Sequence, residues 1–166
     1  MSKLARRYFI SQGPATVHDF AWWSGLRVAD ARTALEMTES QLNLKKINGQ
    51  RYRFSNSNQF TNDFTKSTFL LPNYDEYMIS YKDRSASLNP IGAKKLRLNG
   101  LYSVVIINGK VIGTWNRILK KYKILLKLTR FNTLSKEENQ MINIALEQYS
   151  KFINKLYLLK SINKFK

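Results

Sequence analysis

Apolar positions in the first part of the chain recur every three or four residues, in three short stretches divided by turn signals. In LARRYFISQ, Leu4, Tyr8 and Ile10 fall near one side with Ala5 and Phe9 beside them, and Gly13-Pro14 ends the pattern. Thr16 is placed to cap a second helix, and Asp19 sits in its first turn, where the helix dipole favours negative charge. That helix carries Val17, Phe20, Ala21 and Trp23 inward and breaks at Ser24-Gly25. A third stretch, RVADARTALEM, repeats Val28, Ala31, Ala34 and Leu35 at helical spacing. The period then changes to two: Leu42, Leu44, Tyr52 and Phe54 alternate with polar or basic residues around Asn48-Gly49, a pair that tolerates the positive φ of a tight hairpin. Three helices followed by a basic hairpin predict a winged helix-turn-helix over residues 1–60, with the third helix shaped for a major groove and the hairpin for the backbone.

The polar stretch SNSNQFTNDFTKS, pinned by Phe60 and Phe64, reads as a surface linker, and residues 61–90 as a connecting segment. Within it, Phe69, Leu70 and Leu71 form a short buried strand before Pro72, and Tyr74, Tyr77, Met78 and Tyr81 recur with helical spacing. Residues 91–166 read as a basic antiparallel β domain closed by a C-terminal helix. Strands are expected at 101–107 and 110–116 around Asn108-Gly109. A further strand keeps Tyr122, Ile124, Leu126 and Leu128 on one face and sends Lys123, Lys127 and Arg130 away from at least part of it. The last helix opens with the capping pair Ser135 and Glu138, and its stripe is Met141, Ile144, Ala145, Tyr149, Phe152 and Leu156, followed by a frayed tail. The fold class is therefore α+β.

Composition narrows the functional classes. A chain of 166 residues that is 43% hydrophobic and 13% aromatic is a folded protein with one core or two small ones. It contains no cysteine, which removes disulfides, thiolate nucleophiles and cysteine zinc sites. Apolar runs such as Val104 to Ile107 fall far short of the roughly 20 residues that cross a bilayer, and MSKLARRYFISQ has no apolar core of a signal peptide. The expectation is a cytoplasmic protein with no membrane partner. The net charge of +17 is unevenly placed: residues 91–131 hold ten basic and no acidic side chains, whereas 61–90 hold three basic and four acidic ones. Such a concentration attracts polyphosphate, and double-stranded DNA is the expected partner. An acidic protein, an anionic membrane and a merely solvated lysine face are the competing readings.

Three phrases in order, LARRYFISQGPATVHDFAWWSGL, LLPNYDEYMISYKDR and INGKVIGTW, span residues 4–115. Together they resemble the second half of the winged-helix DNA-binding family related to the crosslink-repair DNA glycosylase AlkZ. The family's Gly-Pro-Ala-Thr element corresponds to Gly13, Pro14, Ala15 and Thr16, and its Asp-Phe-x-x-Trp-Ser-Gly element to Asp19, Phe20, Trp23, Ser24 and Gly25. The resemblance implies tandem winged-helix units with a β-rich addition, wrapped round duplex DNA. It also implies that the family's catalytic Gln-x-Gln or Gln-x-Asp motif belongs to the half preceding this region, so the expected partner list includes a missing N-terminal half or another protein. None of the glutamines at 12, 41, 50, 59, 140 and 148 begins such a motif.

Candidate chemistry in the chain itself is sparse. Asp75 and Glu76 are weak catalytic candidates, because adjacent residues diverge on a helix or strand and do not make a carboxylate pair. Asp83 and Arg84 read as structural contacts. His18, the one histidine, offers no metal site without further ligands, and neither metal nor cofactor is expected. No serine sits in a nucleophile elbow, and no glycine run matches a phosphate loop. Trp22, Trp23 and Trp115 read as core or interface residues before stacking platforms. The nucleic-acid-binding set is Arg27 and Arg32 by the third helix, Lys45, Lys46, Arg51 and Arg53 on the wing, and Lys94, Lys95, Arg97, Lys110, Arg117, Lys120, Lys121, Lys123 and Lys127 in the β domain. The leading reading is a duplex-DNA binder that grips mainly phosphate and does no chemistry by itself. A DNA N-glycosylase for alkylated or crosslinked DNA, or a protein-interaction module, are the alternatives.

Overall fold

The computed structural model describes residues 1–55, 66–96 and 102–163. The chain divides into two compact units, one of Met1–Asn62 with Glu76–Arg84, the other of Asp63–Asp75 with Ser85–Lys166. The expected linker therefore does not stand apart, since its residues contribute elements to both units; Phe60 and Phe64 lie outside the described residues.

The first unit is a winged helix-turn-helix. Helices α1 (Ser2–Ser11), α2 (Val17–Ser24) and α3 (Val28–Glu36) surround a core of Ala5, Tyr8, Phe9, Phe20, Ala31, Ala34 and Leu35. The small alanines let the helices approach closely, and the rings of Tyr8, Phe9 and Phe20 fill the centre at centroid separations of 5.2–5.6 Å. Thr16 and Asp19 form the expected capping box, and Gly25 leaves α2 in the left-handed region at φ 71°. The wing is β1 (Asn43–Ile47) paired antiparallel with β2 (Gln50–Phe54), joined through Asn48 at φ 50° and Gly49 at φ 81°. A two-way backbone bridge between Ala15 and Arg53, at 3.0 and 2.8 Å, ties β2 to the start of α2. At this crossing a Cβ on Gly13 would lie 2.4 Å from the Phe9 carbonyl oxygen and 2.8 Å from the Phe54 Cα, so only glycine fits.

The return segment Glu76–Arg84 completes this unit. Its single helical turn α4 (Glu76–Ile79) places Met78 in the interior, while Tyr74 stands before it at φ 62°. Asp19 is buried, and its two oxygens serve two purposes. Oδ2 accepts from the Thr16 N–H and hydroxyl at 2.8 and 2.7 Å, and Oδ1 accepts from the backbone N–H groups of Lys82 and Asp83 at 2.9 and 3.3 Å. Tyr8 donates to the Ser80 carbonyl at 2.7 Å and Tyr81 to the Gln12 carbonyl at 2.7 Å. Burial, with Asp19 nearby, pushes both phenols above their ordinary range and keeps them neutral donors. Of the paired tryptophans, Trp23 packs against the core, whereas Trp22 is 53% exposed and donates its indole N–H to the Ile79 carbonyl.

The second unit is a five-stranded sheet in the order β3 (Thr68–Leu71), β4 (Val104–Ile107), β5 (Lys110–Leu119), β6 (Lys123–Arg130) and β7 (Leu156–Asn163). The first four strands are antiparallel. Alternation sends Val105, Ile107, Trp115, Ile124, Leu126 and Leu128 to one face, where Ile142 and Leu146 of α6 (Lys136–Phe152) cover them. A short helix, α5 (Pro90–Leu96), which the hydrophobic pattern did not predict, packs Gly92 close to Leu88 and Phe131. No described helix is long and apolar enough to cross a membrane.

Three expectations need correction here. Phe69 is exposed, because β3 is an edge strand and not a buried one. Tyr122 is exposed in the turn before β6 instead of joining its buried face. The final helix stops at Phe152: Asn154 at φ 50° breaks it, and Leu156 begins β7, which pairs parallel with β6 where a continued helix and frayed tail were expected. The buried stripe is accordingly Ile142, Ala145 and Leu146, flanked by Met141, Tyr149 and Ile153, while Ile144 and Phe152 are exposed. The Ser135–Glu138 capping box forms as expected.

Because four donors converge on one buried carboxylate, Asp19→Ala is expected to destabilise the first unit by about 3 kcal/mol, and exposed His18→Ala by under about 0.5 kcal/mol. Urea unfolding followed by tryptophan fluorescence measures both; equal midpoints for the two variants would contradict this role for Asp19.

Candidate nucleic-acid interface

In the winged helix the cations are displayed by the ladder register. Lys46 lies opposite Arg51 and Lys45 opposite Tyr52, so Lys46 and Arg51 share one face of the wing and Lys45 takes the other. All three basic residues are exposed. Arg32, exposed on α3, joins Arg51 and Arg53 around a cleft of about 250 Å³ whose other walls include Glu36 and Glu39. Arg27, at the start of α3, is exposed but forms an ion pair with Asp30 at 2.8 Å; hydrogen bonding to that carboxylate, and its charge, raise the guanidinium's already high pKa.

Arg53 departs from its expected place on the wing surface. Its side chain is only 8% exposed, it pairs with Glu39, and its Nε and Nη1 atoms are buried without a hydrogen-bond acceptor. The backbone bridge to Ala15 ties this end of β2 to the helical core, so Arg53 lies at the base of the wing. Glu76 is likewise engaged structurally, accepting from the Trp23 indole N–H at 3.2 Å and from the Ser80 hydroxyl. Asp75, the other weak catalytic candidate, is assigned to the second unit.

The β domain sorts its cations differently. Lys94, Lys120, Lys121 and Lys123 are exposed, and the Lys121 ammonium lies 5.0 Å from the Tyr122 ring centroid. Lys110 is exposed yet donates to the Ala86 carbonyl, which anchors it beside β5. The Lys95 side chain and Arg97 lie outside the described residues. Arg117 donates to the Tyr149 hydroxyl and stands 5.8 Å from that ring's centroid.

Arg117 and Lys127 both line a cleft of about 830 Å³ that the linear pattern did not disclose. Its walls come from the end of β3, the approach to β4, the middle of β5 and β6, and Tyr149 of α6. Thr114, Asn116 and Thr129 add polar groups, Tyr102, Trp115 and Tyr149 add rings, and among the described residues no carboxylate lines it. No sequence-local signal marks such a site, because its residues converge only after the sheet forms.

A family model described as DNA glycosylase AlkZ-like matches residues 1–152. The chain belongs to the AlkZ-like family. Among solved structures, Streptomyces sahachiroi DNA glycosylase AlkZ is similar, with a TM-score of 0.71 and 17% sequence identity, over 93% of this chain and 43% of that one. The likeness shows a shared fold, and this chain spans less than half the length of that AlkZ-like protein. No curated protein matches the sequence. These findings correct the expectation that the relationship is to a second half only, carried by residues 4–115: it runs over nearly the whole chain and is not confined to a C-terminal half.

Removing Glu39 strips the counter-charge from a buried guanidinium, whereas Arg53→Met replaces that charge with an apolar chain of similar length. Glu39→Ala is therefore expected to cost about 2–3 kcal/mol and Arg53→Met distinctly less. Denaturant midpoints decide the order, and Arg53→Met as the more damaging change would contradict it.

Proposed function

We propose that this chain is a duplex-DNA-holding member of the AlkZ-like family that binds mainly phosphate and by itself removes no base. The observation that carries the reading is the placement of charge. Arg32 on the third helix and Lys45, Lys46 and Arg51 on the wing are exposed on a winged helix-turn-helix, the architecture in which those elements meet DNA. The exposed lysines of the β domain extend the same chemistry, and residues 91–131 contain no acidic side chain to oppose it. Arg53 is withdrawn from the set, and Arg27 enters it with its charge partly balanced by Asp30.

The second reading, an N-glycosylase, draws on the family description. Excision needs a group that activates water or stabilises the departing base beside the sugar. Glu76 is occupied by Trp23 and Ser80, and no glutamine begins the motif that the resemblance assigns to catalysis. These observations favour holding over cutting.

Incubating the full chain with labelled duplexes, intact or alkylated, separates the readings. Retention of both duplexes without alkali-labile breaks is the expected result. Breaks that appear only with the alkylated duplex would establish the glycosylase reading, and failure to retain either duplex would remove both.

A further inference from the structure

The 830 Å³ cleft of the second unit differs in kind from the exposed cations around it. Strand β5 is longer than its neighbour: Thr114 opposite Val104 is the last register pair, Trp115 donates its N–H to the Ser103 carbonyl at 3.0 Å, and Asn116–Leu119 continue past the start of β4. The cleft follows this uncovered edge. Asn116 lies opposite Lys127 across the β5–β6 ladder, so these two share a face, and Arg117, one residue on, points to the other. A positive charge therefore flanks the open edge from each side.

The walls between those charges suit a planar, hydrogen-bonding ligand. Tyr102 presents an exposed ring, and Trp115 is held by its indole N–H to the Leu71 carbonyl at 2.9 Å and by an edge contact to Tyr149. Among the described lining residues, two cations, several neutral hydrogen-bonding side chains, an exposed ring and no carboxylate describe a groove for an anionic strand bearing flat bases. A duplex keeps its bases paired and stacked inside, so it offers such a groove no free base face.

We propose that this cleft binds a short unpaired stretch of a nucleic-acid strand, with Arg117 and Lys127 flanking the backbone and a base stacked on Tyr102. The inference rests on the nucleic-acid reading above but adds a second substrate form, unpaired nucleotides, and a second surface separate in chemistry from the wing. Thymidine and uridine oligomers share the recognised chemistry, and comparing them distinguishes a DNA source from an RNA one.

Fluorescence anisotropy of the full chain with labelled oligothymidine, oligouridine and a blunt duplex of equal length tests it. Tyr102→Ala combined with Lys127→Ala is expected to weaken binding of one or both unpaired oligomers roughly tenfold and to leave duplex affinity within about twofold. Lys45→Ala with Lys46→Ala should do the reverse. Loss of binding to every probe by the unaltered chain would defeat the nucleic-acid reading and this inference with it. Duplex binding that persists beside oligomer binding indifferent to Tyr102 and Lys127 would defeat the cleft alone. So would displacement of the oligomer by polyglutamate at equal charge concentration, which would mark a surface for any polyanion. Should the double variant fail to fold, photocrosslinking of a thio-substituted oligothymidine to the unaltered chain gives an independent reading. Adducts at Tyr102 or Tyr149 support the proposal, and adducts confined to the wing overturn it.

Discussion

The winged-helix unit is organised around a buried carboxylate. Asp19 caps the helix that contains it and also accepts from the backbone of a segment more than sixty residues later in the chain. Left unpaired, a buried carboxylate would be costly; with four donors it becomes a specific joint that only one arrangement of α2 and residues 76–84 satisfies. The same segment supplies the carbonyls that Tyr8 and Trp22 require, so helix capping, aromatic core and return segment depend on one set of polar contacts.

A consequence of this economy is that four acidic side chains of this unit are engaged in contacts within it. Asp19 and Glu76 hold the return segment, Glu39 neutralises Arg53, and Asp30 engages Arg27. What the wing and third helix then present to solvent is Arg32, Lys45, Lys46 and Arg51, with Glu36 and the paired Glu39 beside Arg32 and Arg51. The β domain reaches a similar outcome by composition, because its basic stretch contains no acid at all. Charge is thus partly paired by folding in one unit and separated by sequence in the other, and the cationic excess of both favours partners rich in phosphate.

How much of this was legible beforehand follows from how local each cause is. Capping at Thr16–Asp19 and Ser135–Glu138, and the Asn48-Gly49 and Asn108-Gly109 turns, act over a few residues and read directly from the chain. Arg53 could not be read this way, since its burial follows from a backbone bridge to Ala15, remote in sequence. The end of α6 was obscured because Phe152 and Leu156 keep helical spacing, while the decisive feature is Asn154 adopting positive φ. Of the candidate interface, the wing cations were legible from the hairpin signal, although β1 is exposed along its whole length, Leu44 included. The β-domain cleft was not, because residues from β3, β5, β6 and α6 meet there only in three dimensions.

Phosphate contact is the central claim, and counterion release measures it most directly. Duplex affinity of the full chain determined across a salt series should fall steeply, linear in the logarithm of salt concentration, and each of Lys46→Ala and Arg51→Ala should reduce that slope by about one. An affinity indifferent to salt, or a slope unchanged by both substitutions, would contradict the account.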